Sequence, residues 1–172
     1  MTSVSYRPNT DASVHSAPAH DHRPLIDRLA ADYGNALWLL GRILIGGIFV
    51  QSGLGKLMDL GAFAGMLASG GVPMAAAIAP VAALAEFLGG LAVVLGVGTR
   101  YAALLLIAFV IVATLVAHRF WAVPPDQREM QMIHFAKNVA IIGGFLLVFV
   151  TGGGRFSIER WWARPKRINV AS

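Results

Sequence analysis

The sequence predicts an all-α fold, a bundle of four transmembrane helices with a disordered N-terminal tail and short interfacial helices. Three observations point there. Apolar residues make up 56% of the 172-residue chain and charged residues 13%, against about 45–50% and about 25% in an ordinary soluble domain. Four stretches approach the ~20 mainly apolar residues that a helix needs to cross a bilayer. The basic residues between those stretches fall unequally on the two sides, as membrane topology requires.

The chain divides into three parts, 1–34, 35–154 and 155–172. In the first, prolines at 8, 18 and 24 and histidines at 15, 20 and 22 accompany few large apolar residues before Leu25. Such a composition cannot bury enough surface to order a chain. No basic-then-apolar run opens it, so no cleaved signal peptide is expected. The histidine spacing fits no standard ligand motif, and no metal is expected. After Pro24, residues Leu25, Ile26, Leu29 and Tyr33 share one helical face, the pattern of a helix near 25–33 lying on the membrane surface.

The central part holds four predicted spans, over 36–56, 74–97, 101–120 and 132–151. Each is apolar all round with few polar interruptions, unlike the one-faced helices of a soluble protein. The chain has nineteen glycines, and many cluster inside these spans (Gly46 and Gly47, Gly89 and Gly90, Gly143 and Gly144). Small residues let helix backbones approach where lipid gives no hydrophobic drive to associate. Gly53 and Gly55, and Gly152 to Gly154, are expected at helix ends or hinges. Pro80 sits in the first turns of the second span, where it is tolerated or kinks the helix slightly.

With four spans the termini share a side. Nine basic residues fall there (Arg7, Arg23, Arg28, Arg100, Arg155, Arg160, Arg164, Lys166 and Arg167) against three opposite (Lys56, Arg119 and Arg128). The positive-inside tendency therefore places both termini in the cytoplasm. The net charge of +5 is accounted for by topology, and nucleic acid is not expected as a partner. Phe156, Trp161 and Trp162 among the C-terminal arginines form a basic aromatic segment, suited to anchoring in anionic headgroups or to docking a cytoplasmic protein.

Chemistry is sought among the ionisable and amide groups at membrane depth, which are costly there and face a bundle interior or a cavity. These are Arg42, Gln51, Lys56, Glu86, His118, Arg119, His134, Lys137 and Asn138. All but Arg42 fall toward the end opposite the termini. Glu86 lies about twelve residues into the second span, roughly 18 Å from its outer edge. Its reachable partners are Arg42 and Lys137, giving an expected buried Arg42–Glu86–Lys137 network that either fixes helix register or relays a proton. Lys56 could also snorkel to the outer headgroups. His134, Lys137 and Asn138 stand at i, i+3 and i+4, on one face. His118 and His134 flank the third loop. Both lie near helix ends, so hydrogen bonding to loop carbonyls is expected rather than haem ligation. The absence of cysteine excludes disulfides and cysteine-held iron–sulfur clusters.

In order along the chain, Arg42-Ile43-Leu44-Ile45-Gly46 with Phe49, Ser52-Gly53 and Lys56 is followed by Ala85-Glu86 with Gly89-Gly90. Gly98-Thr99-Arg100 with Ala102-Ala103 comes next, then His134 with Lys137-Asn138 and Gly143-Gly144, and last Gly152-Gly154 with Ser157-Ile158-Glu159. Over about residues 36–160 this order resembles the DoxX family of small four-helix integral membrane proteins, with Glu159 where that family often has Asp. The resemblance implies the membrane subunit of a quinone-linked oxidoreductase or redox-stress complex in a bacterial-type inner membrane. Without an evident redox motif of its own, the chain is not expected to be a complete enzyme. Glu86, Lys137 and His134 are then the candidate catalytic residues. Lys56, Gln51, His118 and Asn138 are the candidate quinone pocket, with a soluble redox protein as partner. A scaffold for a soluble enzyme, a small solute or proton transporter, and a homo-oligomer stay open.

Overall fold

The computed structural model describes residues 24–163. The expected disorder of residues 1–23, and the basic segment beyond residue 163, lie outside the described residues. Helix α1 (Leu25–Met58) is followed by α2 (Leu60–Ser69), α3 (Ala75–Leu95), α4 (Thr99–Ala117), α5 (Pro125–Thr151) and a short α6 (Ile158–Trp162). A 3-10 turn at Phe120–Ala122 joins α4 to α5. Four helices are long and apolar enough to cross a membrane, and among the described residues there is no strand, as the sequence predicts. The chain forms two units, divided after Asp32. The described part of the first, Pro24 to Asp32, is exposed, and its predicted surface helix forms the opening turns of α1 rather than an element of its own. Everything below concerns the second unit.

On α1 the buried positions are Arg42, Gly46, Phe49 and Gly53, spaced four, three and four, so they form one stripe along the helix. That stripe meets α3 at almost backbone contact. A Cβ added to Gly90 would lie 2.8 Å from the Gly46 carbonyl and 2.8 Å from the Val50 nitrogen, and one added to Gly53 would lie 2.6 Å from the Phe87 nitrogen. No apolar side chain fits in that seam.

Around it, Phe49, Val93, Ala102, Ala103, Leu106, Val110, Phe145 and Val148 form the main core, with Phe49 and Phe145 edge to face at 5.2 Å between ring centroids. Asn138 donates to the Thr114 hydroxyl at 2.8 Å and ties α5 to α4. Large aliphatic residues such as Leu44, Leu88 and Leu147 are exposed, as the acyl-chain side of a membrane bundle requires.

Between the first two spans lies α2, whose ten residues are too few to cross a bilayer. Asp59 starts it by accepting a hydrogen bond from the Ala62 N–H at 2.9 Å, a normal N-cap contact. Its buried Phe63 packs on Ala79 and Ala83 of α3. A second, smaller core thus closes one end of the bundle, called the α2 end here. At the opposite, C-terminal end, the three-residue turn between α3 and α4 meets the loop after α5.

The Gly46–Gly90 seam predicts a contrast between two substitutions. Gly90→Ala places its methyl against backbone that cannot withdraw, and destabilises by about 1–3 kcal/mol. Gly55→Ala adds its methyl to open space and is expected to be neutral. Thermal midpoints of the two variants in detergent, read by tryptophan fluorescence, check this.

Candidate functional site

Lys56 continues the buried stripe of α1, three residues past Gly53. Because Gly53 lets α1 lie against Phe87, the Lys56 ammonium reaches the carboxylate of Glu86, next door on α3, and donates to its Oε2. Glu86 is buried at 3% exposure. The ammonium also lies 5.1 Å from the ring centroid of Phe63 on α2 and 5.6 Å from that of Phe109 on α4, close enough for both ring faces to stabilise the charge. One cation is therefore held by three helices.

Beside this pair lies a cavity of about 360 Å³ between α2, α3 and α4, whose walls include Lys56, Phe63, Ile78, Phe109, Val112 and His118. A second opening of about 340 Å³, lined by Ser52, Lys56, Asp59 and Phe63, reaches Lys56 from the α1–α2 side. At the rim, His118 Nδ1 is 2.9 Å from Gln131 Oε1, and its ring lies 5.0 Å from that of His134. Arg119 donates to the Gly70 carbonyl at 3.4 Å, holding the end of α2 against the end of α4. The arrangement offers an apolar chamber with one ammonium donor, one carboxylate behind it and one imidazole at its edge. It suits a small, mostly apolar ligand bearing a carbonyl or carboxylate.

The expected Arg42–Glu86–Lys137 network does not form. Arg42 and Lys56 share one stripe but are fourteen residues apart, about 21 Å along the axis, so only Lys56 reaches Glu86. Lys56 does not snorkel outward. On α5 the half-buried or buried positions run His134, Asn138, Ile141, Phe145 and Val148, and this four-three spacing turns Lys137 away from the interior. Lys137 is exposed and makes no ion pair among the described residues. Gln51 is exposed, two residues from Phe49 and so on the far side of α1, and does not line the cavity. Asn138 is engaged by Thr114. His134 stands behind His118 rather than in the cavity wall. Of the residues expected to form a pocket, Lys56 and His118 line it, with Glu86 at its back.

At the C-terminal end, Arg42 is buried at 1% exposure. Its Nη1 donates to the Val93 carbonyl at 3.3 Å and its Nη2 to the Phe156 carbonyl. Val93 O is one of the last carbonyls of α3, a group without a partner inside its own helix and at the negative end of the dipole. Across the turn, α4 begins at Gly98, which has no side chain to cap it. Glu159 caps it instead: its Oε2 accepts from the Thr99 N–H at 3.2 Å, and its Oε1 from the Thr99 hydroxyl at 3.3 Å and the Gly153 N–H at 3.1 Å. Trp38 Nε1 donates to the Gly152 carbonyl at 3.0 Å. Gly96, at φ +72°, has Arg42 and Ser157 where a side chain would go. These charges clasp helix ends.

Removing one partner of the Lys56–Glu86 pair leaves a charge stranded. Glu86→Leu is expected to destabilise by about 3 kcal/mol, the low end for a broken buried pair, because the Lys56 side chain keeps 25% exposure. The double variant Lys56→Met/Glu86→Leu is expected to recover most of that loss. The cycle of thermal midpoints measures the coupling.

Residues 37–119 match the DoxX family, a range that includes every wall of the cavity beside Lys56. The chain is 36% identical over 132 residues to the inner membrane protein YphA of Escherichia coli, covering 75% of this chain and 94% of that protein. It is 34% identical over 122 residues to the inner membrane protein YqjF of the same organism, covering 71% and 88%. A shorter likeness, 32% over 69 residues, is to a Surfeit locus protein 4 homolog of Schizosaccharomyces pombe, covering 39% of this chain and 23% of that protein. No solved structure matches. Alignment along nearly the whole length of two such relatives, together with the four apolar helices, establishes that the chain belongs to the DoxX family of integral membrane proteins.

Proposed function

We propose that this protein is the membrane subunit of a quinone-linked oxidoreductase and that the cavity at the α2 end receives the quinone head. The observation that carries the reading is Lys56, paired with the buried Glu86 behind it, in the wall of an apolar cavity of about 360 Å³. Its volume is in the range of small-molecule sites, ~300–1,000 Å³, and its few polar groups converge as such sites require. The aromatic walls of Phe63 and Phe109 suit a flat ring. Lys56 is the donor to a ring carbonyl, and Glu86 fixes the ammonium in position while lowering its cost in an apolar wall. Glu86, Lys56 and His118, with His134 stacked behind it, are the groups that hold or pass protons at this end. A bound quinone supplies two-electron, two-proton acceptance, and a soluble partner protein delivers the electrons. The excess of basic residues on the termini side supports cytoplasmic termini, which puts the cavity toward the opposite face of the membrane.

The test uses the full-length protein in nanodiscs of neutral lipid, titrated with a short-chain ubiquinone while tryptophan fluorescence is followed. Saturable quenching is expected. Ala113→Phe fills the cavity wall without touching the ion pair and is expected to abolish it. Lys56→Gln is expected to weaken binding roughly ten- to hundredfold, the value of one charge-assisted hydrogen bond. Quenching that never saturates, or saturation unchanged in Ala113→Phe, removes the quinone reading.

A further inference from the structure

A second cavity, independent of the first, opens at the C-terminal end. It has a volume of about 400 Å³ and lies between the start of α4, the end of α5 and the loop leading to α6, bordered by Arg100, Tyr101, Thr151, Gly153, Glu159 and Arg160. We propose that this cavity is a binding site for the phosphate headgroup of an anionic phospholipid, gripped by Arg100 and Arg160.

The charge balance is the first argument. Glu159 is the one carboxylate in the cavity wall, and both its oxygens are engaged by Thr99 and Gly153. Its negative charge is further offset by the positive end of α4 and by the facing guanidinium of Arg42. Arg100 and Arg160 are thus in surplus. Both are exposed. Arg100 lies over the Gly152 backbone and donates a single hydrogen bond, from Nη2 to the Val150 carbonyl at 3.3 Å, while the guanidinium of Arg160 has no protein partner among the described residues. Two such forks retain enough donors to clasp a phosphate.

The depth of the site is the second argument, and it selects a lipid over a soluble anion. Residues 100 and 101 open one membrane-crossing helix and Thr151 closes the next, so the cavity lies where the hydrocarbon ends. Tyr101, Phe156, Trp161 and Trp162 around it are all more than half exposed. Together they form the aromatic belt of a membrane–water interface, where a lipid can keep its chains in the bilayer while its headgroup enters the cavity. Of the basic aromatic segment that the sequence marks as a general anchor, Arg160 lies in the wall of this cavity.

The experiment takes the full-length protein in neutral detergent and measures, by native mass spectrometry, retention of phosphatidylglycerol against phosphatidylcholine. Preferential retention of phosphatidylglycerol is expected. Arg100→Gln/Arg160→Gln should weaken it at least about tenfold, while Arg155→Gln, an exposed arginine outside the cavity, should change it less than about twofold. Arg160→Gln alone removes no hydrogen bond among the described residues and gives the same reading if the double variant proves unstable. Equal retention of the two lipids, a double variant that binds like the parent, or an equal loss in Arg155→Gln overturns the proposal. So does displacement of the lipid by an equal concentration of glycerol 1-phosphate, which would show a soluble-anion site.

Discussion

The closeness of α1 and α3 is the constraint on which the rest depends. In lipid, burying apolar surface does not drive helices together, so they associate where small residues let backbones touch. Gly46, Gly53 and Gly90 do that here. The consequence is electrostatic as well as steric. The stripe that carries the α1 glycines also carries Arg42 and Lys56, and laying it against α3 brings Lys56 to Glu86 midway along that helix and Arg42 to the Val93 carbonyl at its C-terminal end.

The two ends handle their charges in different ways. At the C-terminal end the geometry is that of helix termini completing one another. Arg42 satisfies a carbonyl at the end of α3, and Glu159 satisfies the N–H that opens α4, six residues later in the chain. Each charge sits where the dipole of the helix it touches favours it. The loop after α5 supplies the Phe156 carbonyl and the first turn of α6 supplies Glu159, so this stretch closes the end of the bundle. At the α2 end the carboxylate and ammonium meet in the middle of a helix face, where no terminal dipole assists them.

The spans were legible because their signal is averaged over some twenty residues, and a few misassigned ends do not disturb it. Glu86 and Lys56 were legible as costly residues, since charge at membrane depth needs no contact to be conspicuous. Their pairing was not. Which of two cations reaches Glu86 depends on the rotation of α1 against α3, and that rotation is set by the Gly53–Phe87 approach, a contact between residues 34 apart in the chain. Lys137 shows the same limit: grouping it with His134 and Asn138 by spacing is correct to within 100° of rotation, and that is the difference between interior and lipid. A sharper signal was available for α2. Asp59 followed by an apolar run is an N-cap pattern, and recognising it would have put Phe63 beside Lys56. Glu159 capping α4 carries no local signature, because the helix and its cap are 60 residues apart.

The contrast between the two ends supports the proposed reading of the α2 end. A charged pair needed only for register is best surrounded by close packing, as Arg42 is, since every unfilled volume beside it forfeits contacts. The Lys56–Glu86 pair instead borders an apolar chamber and is overlaid by α2, an element too short to span the membrane and held by Asp59, Phe63 and the Arg119–Gly70 bond. Phe63 and Phe109 shield the ammonium from two sides but leave one side facing the cavity. A donor positioned by its own counter-ion, in a mostly apolar wall, interacts strongly with whatever acceptor enters, because the low dielectric that makes the charge costly to bury also strengthens its next hydrogen bond. The geometry of the α2 end thus favours the proposed quinone site there.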